Sequence, residues 1–185
     1  MDVWGGFDVE NYGDALFPRI FDVELGRRLP HAQRRYRAPF GHQRELHFNR
    51  DWPLEPLGEP TPGRRAELAE GADLVVIGGG EIAHVRDDWL ATVYEPRPGA
   101  GFRPSELFLD GLGADWEAHT PVVWHGIGIP FDFDDRTAAV VRAALARRPY
   151  VTVRDATSLD RLRRAGVEGQ VEVVPDSVLL LPRLF

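Results

Sequence analysis

Residues 150–158, Tyr-Val-Thr-Val-Arg-Asp-Ala-Thr-Ser, place charged side chains where a predicted strand becomes a predicted helix. The first turn of a helix offers free N–H groups and the positive end of the helix dipole, which favour phosphate or carboxylate. A guanidinium strengthens that preference, so we expect Arg154 to bind an anion. Asp155 is expected to orient Arg154 or to cap the helix, and Ser158 to line the same site. A surface arginine beside an ordinary helix cap explains this stretch, taken alone, equally well.

Four further groups of polar residues or glycines follow predicted strands. They are Asn11, Gly13 and Asp14; Gly78, Gly79 and Gly80; His125 and Gly126; and Asp176. The first group favours a tight turn and a helix cap, and the three glycines let a ligand or another backbone approach closely, because they have no Cβ. They do not form G-x-G-x-x-G, so the dinucleotide fingerprint is absent. Among these residues His125 is the side chain whose ordinary pKa lies nearest neutrality, which makes it a further candidate for the site.

The elements that must position these residues alternate between strand and helix. Apolar runs near residues 74, 122, 151 and 172 are typical of strands buried on both faces, and no Asn-Gly hairpin joins any two of them. The order predicts an α/β fold with a doubly wound, mainly parallel sheet, helices on both faces and right-handed crossovers, in the manner of Rossmann-like domains. Every group named above then lies at the carboxyl edge of one sheet, where such folds bind ligands.

Proline and glycine define the element boundaries that we expect. Five prolines between residues 39 and 63 predict irregular structure through most of that stretch, and residues 85–103 are expected to be irregular as well. One helix is predicted over about 104–119, a strand over 121–124 and an amphipathic helix over 134–147. A second strand is expected between residues 31 and 38. Pro18 is expected to be tolerated only near the first turn of the first helix.

Composition excludes several classes of protein. The 185 residues include no cysteine, so disulfides and thiolate chemistry are impossible, and the six histidines show no metal-ligand spacing. The net charge of −7 argues against binding to nucleic acid. No P-loop or nucleophile elbow occurs. The longest apolar run is too short to cross a bilayer, so we expect a soluble, cytoplasmic protein without a transmembrane segment.

The ordered motifs resemble the polysaccharide pyruvyl transferase family over nearly the whole chain. The matching stretches are Asn11-Tyr-Gly-Asp14, Asp73-Leu-Val-Val-Ile-Gly-Gly-Gly80, His125-Gly-Ile-Gly128, Val153-Arg-Asp-x-x-Ser158 and Val174-Pro-Asp176. Two positions depart from the pattern. His125 stands where a glutamine or another small polar residue is expected, and Glu81 where a serine or another small residue is usual.

The resemblance implies one half of a fold similar to the GT-B glycosyltransferases, with two Rossmann-like domains facing a cleft. It also implies transfer of pyruvate from phosphoenolpyruvate, as a ketal, to a sugar of a cell-surface glycan, with no cofactor and no metal. Asp14 or His125 would then serve as base. The substrate-binding set would be Asn11, Gly13, Gly78, Gly79, Gly80, Gly126, Arg154, Asp155, Ser158 and Asp176.

Residues 1–185 are expected to form a single Rossmann-like domain, the amino-terminal half of a two-domain protein. Members of the family draw part of the phosphoenolpyruvate site, including basic residues, from their second domain. The apolar end, Leu-Leu-Leu-Pro-Arg-Leu-Phe, is expected to pack against such a domain or against a second copy of the chain. Two alternatives stay open from the sequence: a non-catalytic binding or partner domain of the same fold, and one half of a GT-B glycosyltransferase that uses a nucleotide sugar.

Overall fold

One parallel sheet organises the computed structural model, which describes residues 1–9, 11–41, 52–86 and 104–183. Within these residues, seven strands pair in the order β3-β2-β1-β4-β5-β6-β7, and every neighbouring pair is parallel. The strands are β1 (Asp2–Trp4), β2 (Arg35–Ala38), β3 (Leu54–Pro56), β4 (Val75–Gly78), β5 (Val122–Ile127), β6 (Val151–Val153) and β7 (Glu172–Val173). The predicted doubly wound α/β class is confirmed.

Helices cover both faces of this sheet. In the described part of the chain they are α1 (Tyr12–Arg28), α2 (Pro62–Glu70), α3 (Pro104–Asp110), α4 (Ala114–Glu117), α5 (Asp135–Leu145), α6 (Ala156–Arg164) and a 3₁₀ helix (Ser177–Arg183). None of these helices is long and apolar enough to cross a membrane.

Successive residues of a strand point to opposite faces of the sheet, and this alternation divides the core in two. Val3 belongs to a cluster with Phe17 of α1, whereas Trp4 belongs to a larger cluster with Leu107 of α3 and Leu162 of α6. Both faces are therefore buried, which is why the central strands are continuous apolar runs.

The strand order reverses at β1. From β1 the chain proceeds outward through β2 and β3, and then returns to the other side of β1 with β4. At such a reversal the two connecting segments diverge and leave a crevice at the carboxyl ends of the two strands. The start of α1 follows β1 and Gly79 to Glu81 follow β4, so both segments border this crevice.

A bulge modifies the carboxyl end of β5. The pairing of β5 with β6 advances three residues on β5, from Trp124 to Ile127, against two on β6. Gly126 has a φ of 61°, which only glycine adopts readily, and its N–H donates to Thr152 Oγ1 at 2.8 Å. The extra residue allows Ile127 to join the same buried cluster as Trp124. The prediction that the strand ends at residue 124 was therefore wrong, because His125 and Gly126 lie within β5.

The proline-rich stretch contains one short strand, β3, at the edge of the sheet, where a proline without an N–H removes no bond from the sheet interior. One expected helix was also wrong. The single helix expected over 104–119 is two helices, because Gly111 and Gly113 have φ values of 64° and 85° and end the first one. Much of the expected irregular structure, at residues 42–51 and 87–103, lies outside the described residues.

The position of Pro18 was wrong as well. It is the seventh residue of α1 and is buried. Proline at this position has no N–H to donate to the Asp14 carbonyl four residues earlier. The helix nevertheless continues to Arg28, which shows that tertiary packing outweighs the local preference. The second predicted strand is confirmed in a shorter form, as β2.

Candidate functional site

Arg154 follows β6 at the carboxyl edge, and its guanidinium contacts three carboxylates. It pairs closely with Glu81, donates from Nε to Asp155 Oδ2 at 3.3 Å, and has Nη1 at 3.8 Å from Asp176 Oδ2. The three acidic residues come from the ends of β4, β6 and β7, so residues far apart in sequence meet here. The positive charge of Arg154 is more than compensated locally, which disfavours an added anion while all three carboxylates remain in place.

Asp155 both caps α6 and holds Arg154, the two roles considered for it. Its Oδ1 accepts from Ser158 N at 2.7 Å while its Oδ2 accepts from Arg154. Burial raises the pKa of Asp155, but the bonds from Ser158 and Arg154 outweigh burial and lower it overall. Ser158 is buried, and its Oγ accepts from Ile129 N at 3.0 Å. That hydroxyl therefore joins α6 to the segment after β5 and does not face the crevice.

The three glycines after β4 let α1 approach the sheet. A Cβ on Gly78 or Gly79 would come within 3 Å of the Phe17 ring, and a Cβ on Gly80 would lie 2.1 Å from Asp14 Oδ1. Gly79 and Gly80 also have φ values of 82° and 70°. The absence of side chains here therefore serves the packing of α1 and places the Asp14 carboxyl against the turn that follows β4.

Asp14 is the carboxyl group with the most altered acidity in the crevice. Burial raises the pKa of Asp14 to about 7; Arg154 opposes this change, and Asp176 and Glu81 add to it. The Asp14 side chain keeps partial contact with solvent. A carboxyl of this kind exists in both protonation states near neutral pH and is suited to proton transfer.

His125 lies on the same face of the sheet as α1. Its ring is 5.3 Å from the ring of Phe21, centroid to centroid, and its Nε2 is 3.5 Å from Ser177 Oγ. Burial lowers the pKa of His125, so the imidazole is neutral near pH 7. A neutral imidazole can accept a proton, but here one ring nitrogen already has a hydroxyl neighbour in the 3₁₀ helix.

The remaining predicted residues also lie at this edge. Asn11 caps α1 by accepting from Gly13 N at 2.9 Å, and both residues are at least partly exposed. Asp176 accepts from Val178 N at 2.9 Å in addition to facing Arg154. Gly126 forms the β5 bulge. The structure thus brings Asp14, Arg154 and Asp176 together, whereas Ser158 and Gly78 are internal to the packing.

Glu81 and Ser177 were not predicted as site residues. Glu81 follows the third glycine of the turn and is the acidic partner of Arg154 from β4. Its position directly after a glycine run at a strand end was the available signal. Ser177 contacts His125 from 52 residues away, so no local pattern indicated that contact.

The fold and the crevice define a Rossmann-like α/β protein whose topological switch point contains the Arg154 guanidinium and the Asp14 carboxyl, with its raised pKa. The family model of the polysaccharide pyruvyl transferases matches residues 11–185. The chain belongs to this family, and every residue discussed for the crevice lies within the matched range. Among curated proteins, no sequence matches the chain.

Proposed function

We propose that this chain takes part in transferring the pyruvyl group of phosphoenolpyruvate to a sugar of a cell-surface glycan, where it forms a ketal. Membership of the family supports the reaction class. For this particular chain, the proposal rests on Asp14, whose carboxyl group lies in the crevice between β1 and β4 and has a pKa of about 7. Proton transfer at neutral pH is what the reaction requires of the protein.

The reaction needs two sugar hydroxyls and one donor molecule. A proton adds to the methylene carbon of phosphoenolpyruvate, and the adjacent carbon becomes an oxocarbenium-like centre. One hydroxyl adds to that centre, the bond to the phosphate oxygen breaks, and the second hydroxyl closes the ketal. The two hydroxyl protons balance the new methyl group and the hydrogen phosphate that leaves.

Asp14 is proposed as the base that accepts the proton of an attacking hydroxyl. Its carboxylate form is half populated near pH 7, and its Oδ1 lies against Gly80 in the turn that borders the crevice. His125 is the second candidate for this role, since burial keeps its imidazole neutral. Carboxylates such as Asp176 are suitable acceptors for other sugar hydroxyls.

Arg154 is proposed to bind the carboxylate or the phosphate of the donor. Its guanidinium is fixed by Asp155 and lies against Gly128, where an added Cβ would be 2.8 Å from Nε. Because three carboxylates already face Arg154, further cations are needed for a trianionic donor. In this proposal they come from a second domain that faces the crevice, and residues 1–185 form the amino-terminal half.

A calorimetric titration of the full chain with phosphoenolpyruvate tests the donor site. Arg154→Ala is expected to weaken binding at least tenfold, because a charge-assisted bidentate contact is lost. Arg28→Ala serves as the control, since Arg28 is exposed at the far end of α1 and contacts only Glu24 among the partners described. Equal binding by the wild type and Arg154→Ala would refute this placement of the donor.

Release of phosphate from phosphoenolpyruvate in the presence of sugar diols tests the base. If Asp14 accepts the proton, the rate falls about tenfold for each pH unit below about 7, because only the ionised form is active. Asp14→Asn is expected to lose this pH dependence together with at least a hundredfold in rate. An Asp14→Asn protein with the wild-type rate would assign the proton transfer elsewhere, with His125→Gln as the next variant to measure.

A non-catalytic binding domain is the second candidate, and one observation favours it. The charge of Arg154 is already balanced by acidic residues of the same chain. Binding of sugars without phosphate release, in the full-length protein as well, would favour this alternative.

A further inference from the structure

The three carboxylates around Arg154 are not held equally. Asp155 also accepts from Ser158 N, and Asp176 also accepts from Val178 N, so each keeps a backbone partner if Arg154 is removed. The only hydrogen bond of Glu81 to a described residue is the one with Arg154. Its side chain is 44% exposed. Of the three, Glu81 is the carboxylate that can leave Arg154 and enter water with the least disturbance of the fold.

The guanidinium itself is fixed more firmly than its partner. Asp155 Oδ2 accepts a hydrogen bond from Nε, and the backbone of Gly128 lies so close that an added Cβ would be 2.8 Å from Nε. Gly128 N in turn donates to Gly80 O at 3.0 Å, which ties the turn before Glu81 to the end of β5. A ligand that breaks the contact between Glu81 and Arg154 therefore moves the Glu81 side chain and leaves Arg154 in place.

We propose that the Glu81 carboxylate occupies the position on Arg154 that an anionic group of the ligand takes, and that Glu81 thereby sets the affinity and selectivity of the site for anions. This deepens the proposed function and rests on it for the identity of the donor. A carboxylate bound to Nη2 of a fixed arginine marks where a carboxylate or phosphate oxygen fits. An incoming anion must displace Glu81, so weakly charged ligands are excluded and affinity for dianions is reduced.

A calorimetric titration of the full chain with inorganic phosphate tests this role of Glu81 without any need for turnover. Glu81→Gln keeps the length of the side chain and removes its charge. In Glu81→Gln, phosphate no longer has to break the ion pair with Arg154, and a negative charge beside the bound phosphate is gone. Together these two changes are expected to lower the Kd for phosphate about tenfold. In the Arg154→Ala background, Glu81→Gln is expected to change the Kd for phosphate less than about twofold, because the guanidinium for which Glu81 and phosphate compete is absent.

Glu67→Gln is the matched control. Glu67 pairs with Arg64 at 2.8 Å on the exposed surface of α2, so the substitution breaks an equivalent ion pair away from the crevice. It is expected to leave phosphate binding unchanged. Because Glu81 is exposed, Glu81→Gln is expected to unfold at the wild-type denaturant concentration, which excludes misfolding as the cause of any change.

The outcomes separate this inference from the proposed function. If phosphate binds Glu81→Gln no tighter than the wild type, or if the gain persists without Arg154, the competition between Glu81 and the ligand is refuted. If the gain appears but phosphoenolpyruvate binds no better than inorganic phosphate and releases none, the role of Glu81 stands and the assignment of the donor fails.

Discussion

Asp14 gives the most demanding test of the crevice, because its acidity depends on the tertiary structure alone. Burial raises its pKa from 3.8 to about 7. At pH values between those two pKa values, Asp14 is protonated in the folded protein and ionised in the unfolded chain. Stability contributed by Asp14 is therefore complete at low pH, decreases as the pH rises from about 4 to about 7, and is constant above that range.

The magnitude follows from the difference between the two ionisation constants. Each tenfold difference corresponds to about 1.4 kcal/mol, so full ionisation of Asp14 lowers the free energy of unfolding by about 4 kcal/mol. Asp14→Asn resembles the protonated form and avoids this loss. The variant is expected to be more stable than the wild type by about 4 kcal/mol at about pH 8 and by about 2 kcal/mol at about pH 5.5.

Urea denaturation of the wild type and Asp14→Asn across this pH range measures the difference directly. Taking the difference between the two proteins cancels the titration of groups that do not interact with Asp14. Asp160→Asn, at an exposed position on α6, is the control for replacing a carboxylate by an amide. A stability difference for Asp14→Asn that stays constant or reverses in sign with rising pH would refute the burial of this carboxyl.

Two further substitutions test how the crevice is built. Gly80→Ala is expected to lower the free energy of unfolding by about 1–2 kcal/mol, because Gly80 has a left-handed backbone conformation. The substitution should also displace Asp14, because an added Cβ would lie 2.1 Å from its Oδ1. Gly63→Ala is the control: Gly63 has open space around it in α2, so the same urea titration should show equal or slightly higher stability. Asp155→Ala removes the cap of α6 and one partner of Arg154, and should lower the free energy of unfolding by about 1 kcal/mol; an unchanged urea midpoint would show that the cap adds no stability.

Patterns within a few residues predicted the parallel sheet apart from β3, and they predicted the caps of α1 and α6. Apolar runs separated by helices predicted parallel strands, and a parallel arrangement places every strand end at one edge. Asn11 and Asp155 could be recognised as caps because the backbone N–H groups that they bind lie two and three residues away. The three-residue strand β3 escaped prediction because so short an edge strand has no periodicity to detect.

The sequence by itself therefore determined the fold class and the edge of the sheet at which the candidate side chains lie. Only the tertiary structure decided their chemistry. The contact between Arg154 and Glu81 spans 73 residues, and the bulge in β5 depends on pairing with β6. The near-neutral pKa of Asp14 arises from the close approach of α1 to three glycines. Acidity and charge pairing depend on distance and on the exclusion of water, which exist only once remote segments have packed together.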